Sequence, residues 1–250
     1  MSFLNKLGIG IGIGAGTSRE VSRPIPPNGR TRNVPPAGAV GAPRPPEAPG
    51  STRISNGLKE LLWNLDGLGR GTLLDLGPAW QTTLSFFIER GFRVSSEDIL
   101  REWKDFLREE EVRLNDAGVA SETVDMTPAG RAARFLESNL QYPRASFDAV
   151  LLWDLIDYLE PALAKLAITN LTELLRPGGV VFALFHSKKP EGFQRYRIAD
   201  SNSLQIISAN VLCPAQKIYQ NREIQDLFNR FRTTKSFVSR DQLRETLFIK

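Results

Sequence analysis

Three short segments carry side chains suited to holding a ligand at the end of a strand. Leu74-Asp75-Leu76-Gly77 sets a carboxylate and a glycine where the apolar run Thr72 to Leu76 closes into the turn Gly77-Pro78. Glu97-Asp98 follows the next strand-like segment about 20 residues on, the separation at which an acid meets ribose hydroxyls in nucleotide-binding folds. Trp153-Asp154 ends a third apolar run that begins at Phe147. His186, the one histidine, follows the run Val180 to Phe185. Its ordinary pKa near 6.5 suits it to accept a proton from a hydroxyl or amine at neutral pH. Each residue also has a plainer reading. Asp75 can brace its own turn, Asp98 or Glu97 can cap the helix that follows, and Trp153 can be a core residue. His186 can be a surface residue beside Ser187, Lys188 and Lys189.

The elements that would position these groups alternate along the chain. Ile54 to Leu65 has Leu58, Leu61, Leu62 and Leu65 at helical spacing. After the strand at 72–76, Thr82 to Arg90 reads as a helix stopped by Gly91, and Phe92 to Ser96 as a second strand. Asp98 to Asn115 is a long amphipathic helix with Ile99, Trp103, Phe106 and Leu107 on one face. Between 116 and 145 a helix from Pro128 competes with a short strand around 134–140. Phe147 to Trp153 and Val180 to Phe185 read as buried strands around a helix from Ala162 to Leu175. The C-terminal part has a β-rich stretch at 198–211, a helix at 221–231 and two closing strands at 233–238 and 243–249. Such alternation argues for a doubly wound, mostly parallel α/β sheet with right-handed crossovers.

Composition sets the outer limits. One cysteine excludes a disulfide framework and a Cys-based zinc site and fits a reducing, cytoplasmic setting. No run of about 18 apolar residues suggests a membrane-spanning helix. Residues 1–50 hold 9 of the 16 prolines and 9 of the 20 glycines. That composition cannot bury enough surface to offset ordering entropy, so 1–50 is expected to be a disordered basic tail and 51–250 the folded domain. Residues 1–57 carry a net charge of +5 and the remainder −1, so the sequence pI of about 9.3 describes the N-terminal segment and not the body.

Together, Leu73 to Gly77, Val94 to Asp98, Ser146 to Val150 with Trp153-Asp154 and Leu159-Glu160-Pro161, and Leu175 to Gly179 resemble a class I S-adenosylmethionine-dependent methyltransferase across roughly residues 55–250. The most specific of these are the Ser-Phe-Asp strand opening and the Leu-Arg-Pro-Gly-Gly that precedes the next strand. The resemblance implies a Rossmann-like sheet of seven strands with the last antiparallel, and S-adenosylmethionine lying over the first two strand ends. It further implies cofactor contacts from Asp75, Gly77, Glu97, Asp98, Asn139, Leu140 and Trp153; the catalytic-base candidate His186 rests on its own position and chemistry, not on the resemblance. One departure is plain. The family's first loop usually has three glycines, at positions held here by Gly77, Ala79 and Gln81, which reshapes a site where backbone must approach the cofactor closely.

Methyl transfer from a sulfonium can proceed largely by positioning and by exclusion of water, so no nucleophile or metal signature need appear. The strand end reads Trp153-Asp154-Leu155-Ile156 and lacks the Asn/Asp-Pro-Pro-aromatic tetrapeptide of base-amino methyltransferases. With a near-neutral body, a small-molecule acceptor is expected ahead of nucleic acid. The alternative is a non-catalytic methyltransferase-like scaffold whose proline-rich tail engages a protein partner.

Overall fold

The computed structural model describes residues 50–116, 125–210, 212–239 and 241–250; the expected tail falls outside them apart from Gly50. In chain order the elements begin with β1 (Ser51–Ile54), α1 (Asn56–Leu65), β2 (Gly71–Asp75), α2 (Gln81–Ile88) and β3 (Phe92–Ser96). They continue with α3 (Ile99–Asp116), α4 (Pro128–Ser138), β4 (Phe147–Trp153), α5 (Leu155–Tyr158), α6 (Pro161–Leu174) and β5 (Leu175–His186). The chain closes with β6 (Gln194–Asp200), β7 (Ser203–Ser208), α7 (Asn221–Leu227), β8 (Thr233–Val238) and β9 (Leu243–Ile249).

Six strands form the main sheet in the order β3-β2-β4-β5-β9-β8. Pairing is parallel from β3 through β5, while β9 runs antiparallel to both of its neighbours. The reversed last strand is the one expected, but the strand count is not: among the described residues the sheet has six strands and not seven. Residues 117–124 lie outside the described residues. Of the competing strand at 134–140, residues 134–138 are instead helical and Asn139 caps the helix. Thr127 caps α4 through its hydroxyl, which accepts from Gly130 N, Pro128 takes a first-turn position where no amide is needed, and Ala132 and Phe135 bury one face.

Side-chain alternation explains how one sheet supports helices on both faces. Val150 and Leu152 of β4, with Val181, Ala183 and Phe185 of β5, join the core under α3 to α7. Ala149, Leu151 and Trp153, with Val180, Phe182 and Leu184, join a second core under α1 and α2. Gly91 ends the turn after α2 at φ 86°, where a Cβ would lie 2.6 Å from the Gly69 carbonyl oxygen, so only glycine fits there.

A feature absent from the sequence reading completes the second face. β1, β7 and β6 form a three-stranded antiparallel sheet. Ile198 N donates to Thr83 Oγ1 at 3.0 Å, tying β6 to α2. At the other edge Arg53 of β1 pairs with Glu245 of β9 at 2.6 Å and with Asp241 at 2.7 Å. Glu245 also accepts from Ser55 Oγ at 2.9 Å and Gly57 N at 2.5 Å, so one buried carboxylate joins the small sheet, the start of α1 and the main sheet.

Candidate functional site

The carboxyl ends of β2, β3 and β4 bring Asp75, Gly77, Glu97, Asp98 and Trp153 into one place. Leu76 N donates to Leu151 O at 3.0 Å and Glu97 N to Asp75 O at 2.8 Å, extending the ladder just past the strands and fixing the spacing of these ends. Asp75 is fully buried. Its Oδ1 accepts from Trp153 Nε1 at 2.7 Å and from Gly77 N at 3.1 Å, whereas Oδ2 has no hydrogen-bond partner among the described residues. Burial pushes this carboxyl up to about 6 against the lowering effect of those two donors, with a smaller push from Asp98.

Trp153 reaches this position through a left-handed backbone, φ 51°, a conformation in which a bulky side chain is rarely held. Its indole stacks on Tyr196 of β6, centroids 6.3 Å apart at 10°, and meets Phe182 edge-on. A Cβ on Gly77 would lie 2.8 Å from the same indole, so that ring covers the glycine. Asp98, partly buried at the entry to α3, is held by Arg195 Nη2 at 3.1 and 3.3 Å from its two oxygens. Glu97 accepts from the Tyr142 hydroxyl, whose pKa burial and that acid push up to about 12. Asn139 ends α4 and turns its amide onto the Phe135 carbonyl at 2.8 Å. Leu140, at φ 55°, is buried in the same core as Leu76, Ile99 and Leu100.

Between Leu76, Gly77, Trp153, Asp154, Arg195 and Tyr196 the remaining cavity is about 10 Å³, room for about one water. In this conformation the Arg195–Asp98 pair, the Trp153–Asp75 hydrogen bond and the Tyr196–Trp153 stack close around that space.

His186 is set further along the sheet and is buried, contrary to a surface placement. Asp157 Oδ2 accepts from its backbone N at 2.7 Å and lies 3.0 Å from Nδ1. Burial lowers the imidazole pKa, but the hydrogen bond to Asp157 and the charges of Asp154 and Asp157 outweigh it and hold the group above its ordinary value. Burial raises Asp157 as well and carries Asp154 to about 7. Asp154 Oδ2, Asp157 Oδ1 and Tyr158 Oη all lack hydrogen-bond partners among the described residues. With Nδ1 turned to a carboxylate, Nε2 is the ring atom left to exchange a proton.

Sequence reasoning missed Asp157, Arg195 and Tyr196. Asp157 had a signal, since it stands one helical turn beyond Asp154 in Asp154-Leu155-Ile156-Asp157. Arg195 had none, because its partner Asp98 lies 97 residues away in sequence. Among the described residues no cluster of His, Cys, Asp and Glu is arranged to hold a metal ion, and no helix is long and apolar enough to cross a membrane.

No protein-family model matches the chain, and no curated protein matches it either. Among solved structures, it is similar to a S-adenosylmethionine-dependent methyltransferase from Archaeoglobus fulgidus, with TM-score 0.43 and 13% identity over 77% of this chain and 91% of that one. A second is one from Mesorhizobium loti, with TM-score 0.41 and 14% identity over 76% and 96%. A third is the 1,6-didemethyltoxoflavin-N1-methyltransferase of Burkholderia thailandensis, solved with bound 1,6-didemethyltoxoflavin and S-adenosylhomocysteine, with TM-score 0.40 and 16% identity over 78% of each chain. These overlaps are loose, and the strand order is the firmer observation. By that order and its reversed last strand, the chain has a mixed α/β, Rossmann-like fold with a mostly parallel main sheet.

Proposed function

We propose that the chain is an S-adenosylmethionine-dependent methyltransferase acting on a small-molecule acceptor. The observation that supports this reading is the placement of Asp75 and Asp98 at the carboxyl ends of adjacent parallel strands, β2 and β3. That is the rim where open α/β sheets bind ligands. Asp98 is the group we assign to the ribose, with Glu97 beside it, and Asp75 and Gly77 face the remainder of the cofactor. His186, oriented by Asp157, is the proton acceptor for an acceptor hydroxyl or amine through Nε2. Because its pKa is held above the ordinary imidazole value, the neutral, basic form is populated at higher pH than in a free imidazole, so the rate should rise as pH increases past that value.

A calorimetric titration of the full chain with S-adenosylmethionine tests the reading. Saturable binding at submillimolar ligand is expected, while no binding at millimolar ligand by the parent or by Arg195→Ala would refute it. One observation favours a second reading: the cofactor position is closed down to about 10 Å³. If it stays closed, the fold serves as a binding scaffold, with the proline-rich residues 1–50 as the segment that engages a protein partner.

A further inference from the structure

We propose that the β6–β7 hairpin carries an internal occupant of the nucleotide position. Arg195 and Tyr196, together with Trp153, hold the acids and the glycine face that an adenosyl ligand would use, so the hairpin must move before a ligand enters. The inference rests on the S-adenosylmethionine reading above.

The three side chains meet the site's groups one by one. Arg195 spends its guanidinium on both oxygens of Asp98, the carboxylate that ribose hydroxyls would need. Those hydroxyls and that guanidinium are all donors competing for one set of lone pairs. Trp153 supplies the indole N–H that engages Asp75, and its ring lies where a ligand would approach Gly77. Tyr196, 2% exposed, stacks on the indole and holds it there. An aromatic ring with a polar N–H and a neighbouring cation reproduce, inside the protein, the flat face and positive charge of the ligand class.

The strain and the connections agree with a movable cover. Trp153 keeps its left-handed backbone while one oxygen of Asp75 goes unpartnered. The hairpin is flanked by residues 187–193 and 209–220, whose described parts form no helix or strand. Arg195 also lies over the Phe193 ring at 4.9 Å, and Phe193 meets Tyr158 edge-on at 5.1 Å. Displacing Arg195 therefore disturbs the wall between the cofactor position and the Asp154–Asp157–His186 group. Opening of one site would be felt at the other.

Two measurements on the full chain test this. Calorimetry with S-adenosylmethionine should show Arg195→Ala binding at least tenfold more tightly than the parent, with Arg195→Lys in between, because lysine keeps a charge beside Asp98 but loses the planar guanidinium that reaches both oxygens and covers Phe193. Amide exchange in the parent should speed up across residues 194–208 when the ligand is saturating, a readout that needs no variant. Equal affinity in parent and Arg195→Ala, or unchanged exchange at saturation, overturns the inference while the methyltransferase reading stands. Failure of both proteins to bind at millimolar ligand removes the cofactor reading and the inference with it.

Discussion

Replacing Asp75 by Asn isolates the electrostatic cost of the closed site. Asp75 is fully buried, and its pKa rises from 3.8 to about 6 in the folded chain. Each unit is worth about 1.4 kcal/mol, so the shift corresponds to about 3 kcal/mol between low and high pH. The folded state keeps this carboxyl neutral more readily than the unfolded chain does. Its contribution is therefore complete below pH about 4 and is lost as pH rises through about 6. Asparagine keeps an oxygen to accept from Trp153 Nε1 and Gly77 N but carries no charge. Urea unfolding followed by tryptophan fluorescence, at several pH values between 4.5 and 8, reads the difference. The parent should lose about 2 kcal/mol more over that range than Asp75→Asn. Asp154, Asp157 and His186, all shifted upward, act in the same direction in both proteins, so the variant's stability should still fall with pH, only less steeply. Parallel curves for the two proteins would refute the burial of a costly carboxylate under Trp153.

Glu245→Ala should destabilise the fold by about 3–5 kcal/mol in the same assay, because it leaves Arg53 and Ser55 without their buried partner. Gly77→Ala should cost about 1–3 kcal/mol and alter the tryptophan emission, since its methyl must push Trp153 off Tyr196. As the one imidazole, His186 gives a single titration by proton NMR: its midpoint should lie above 6.5 in the parent and drop in Asp157→Asn, where burial is no longer opposed by that carboxylate. Once an acceptor is known, His186→Gln should slow methyl transfer by about 10²-fold or more, with S-adenosylmethionine affinity unchanged.

The main sheet was legible because its signals are local. Phe147 to Trp153 is apolar apart from Asp148, and Leu243 to Ile249 ends in the apolar or β-branched run Thr246-Leu247-Phe248-Ile249; both strands fall where they were expected. The clustering of Asp75, Gly77, Asp98 and Trp153 followed from strand ends alone. What escaped was non-local. β1 is four residues of mixed polarity that become a strand only by pairing with β7. The Arg195–Asp98 pair and the Tyr196–Trp153 stack depend on how a hairpin folds back over the sheet, which no pattern near residue 195 encodes. His186 looked solvated from Ser187, Lys188 and Lys189, yet pairing of β5 with β9 and the turn of α5 bury it against Asp157.

A crystal structure of the full chain grown with millimolar S-adenosylhomocysteine tests the central claim most directly. The account predicts the nucleoside over the ends of β2 and β3, its ribose on Asp98, with Arg195 released and the Trp153 indole moved from Gly77. A structure in which the Arg195–Asp98 pair and the Trp153–Asp75 hydrogen bond persist, with no nucleoside between them, would contradict it.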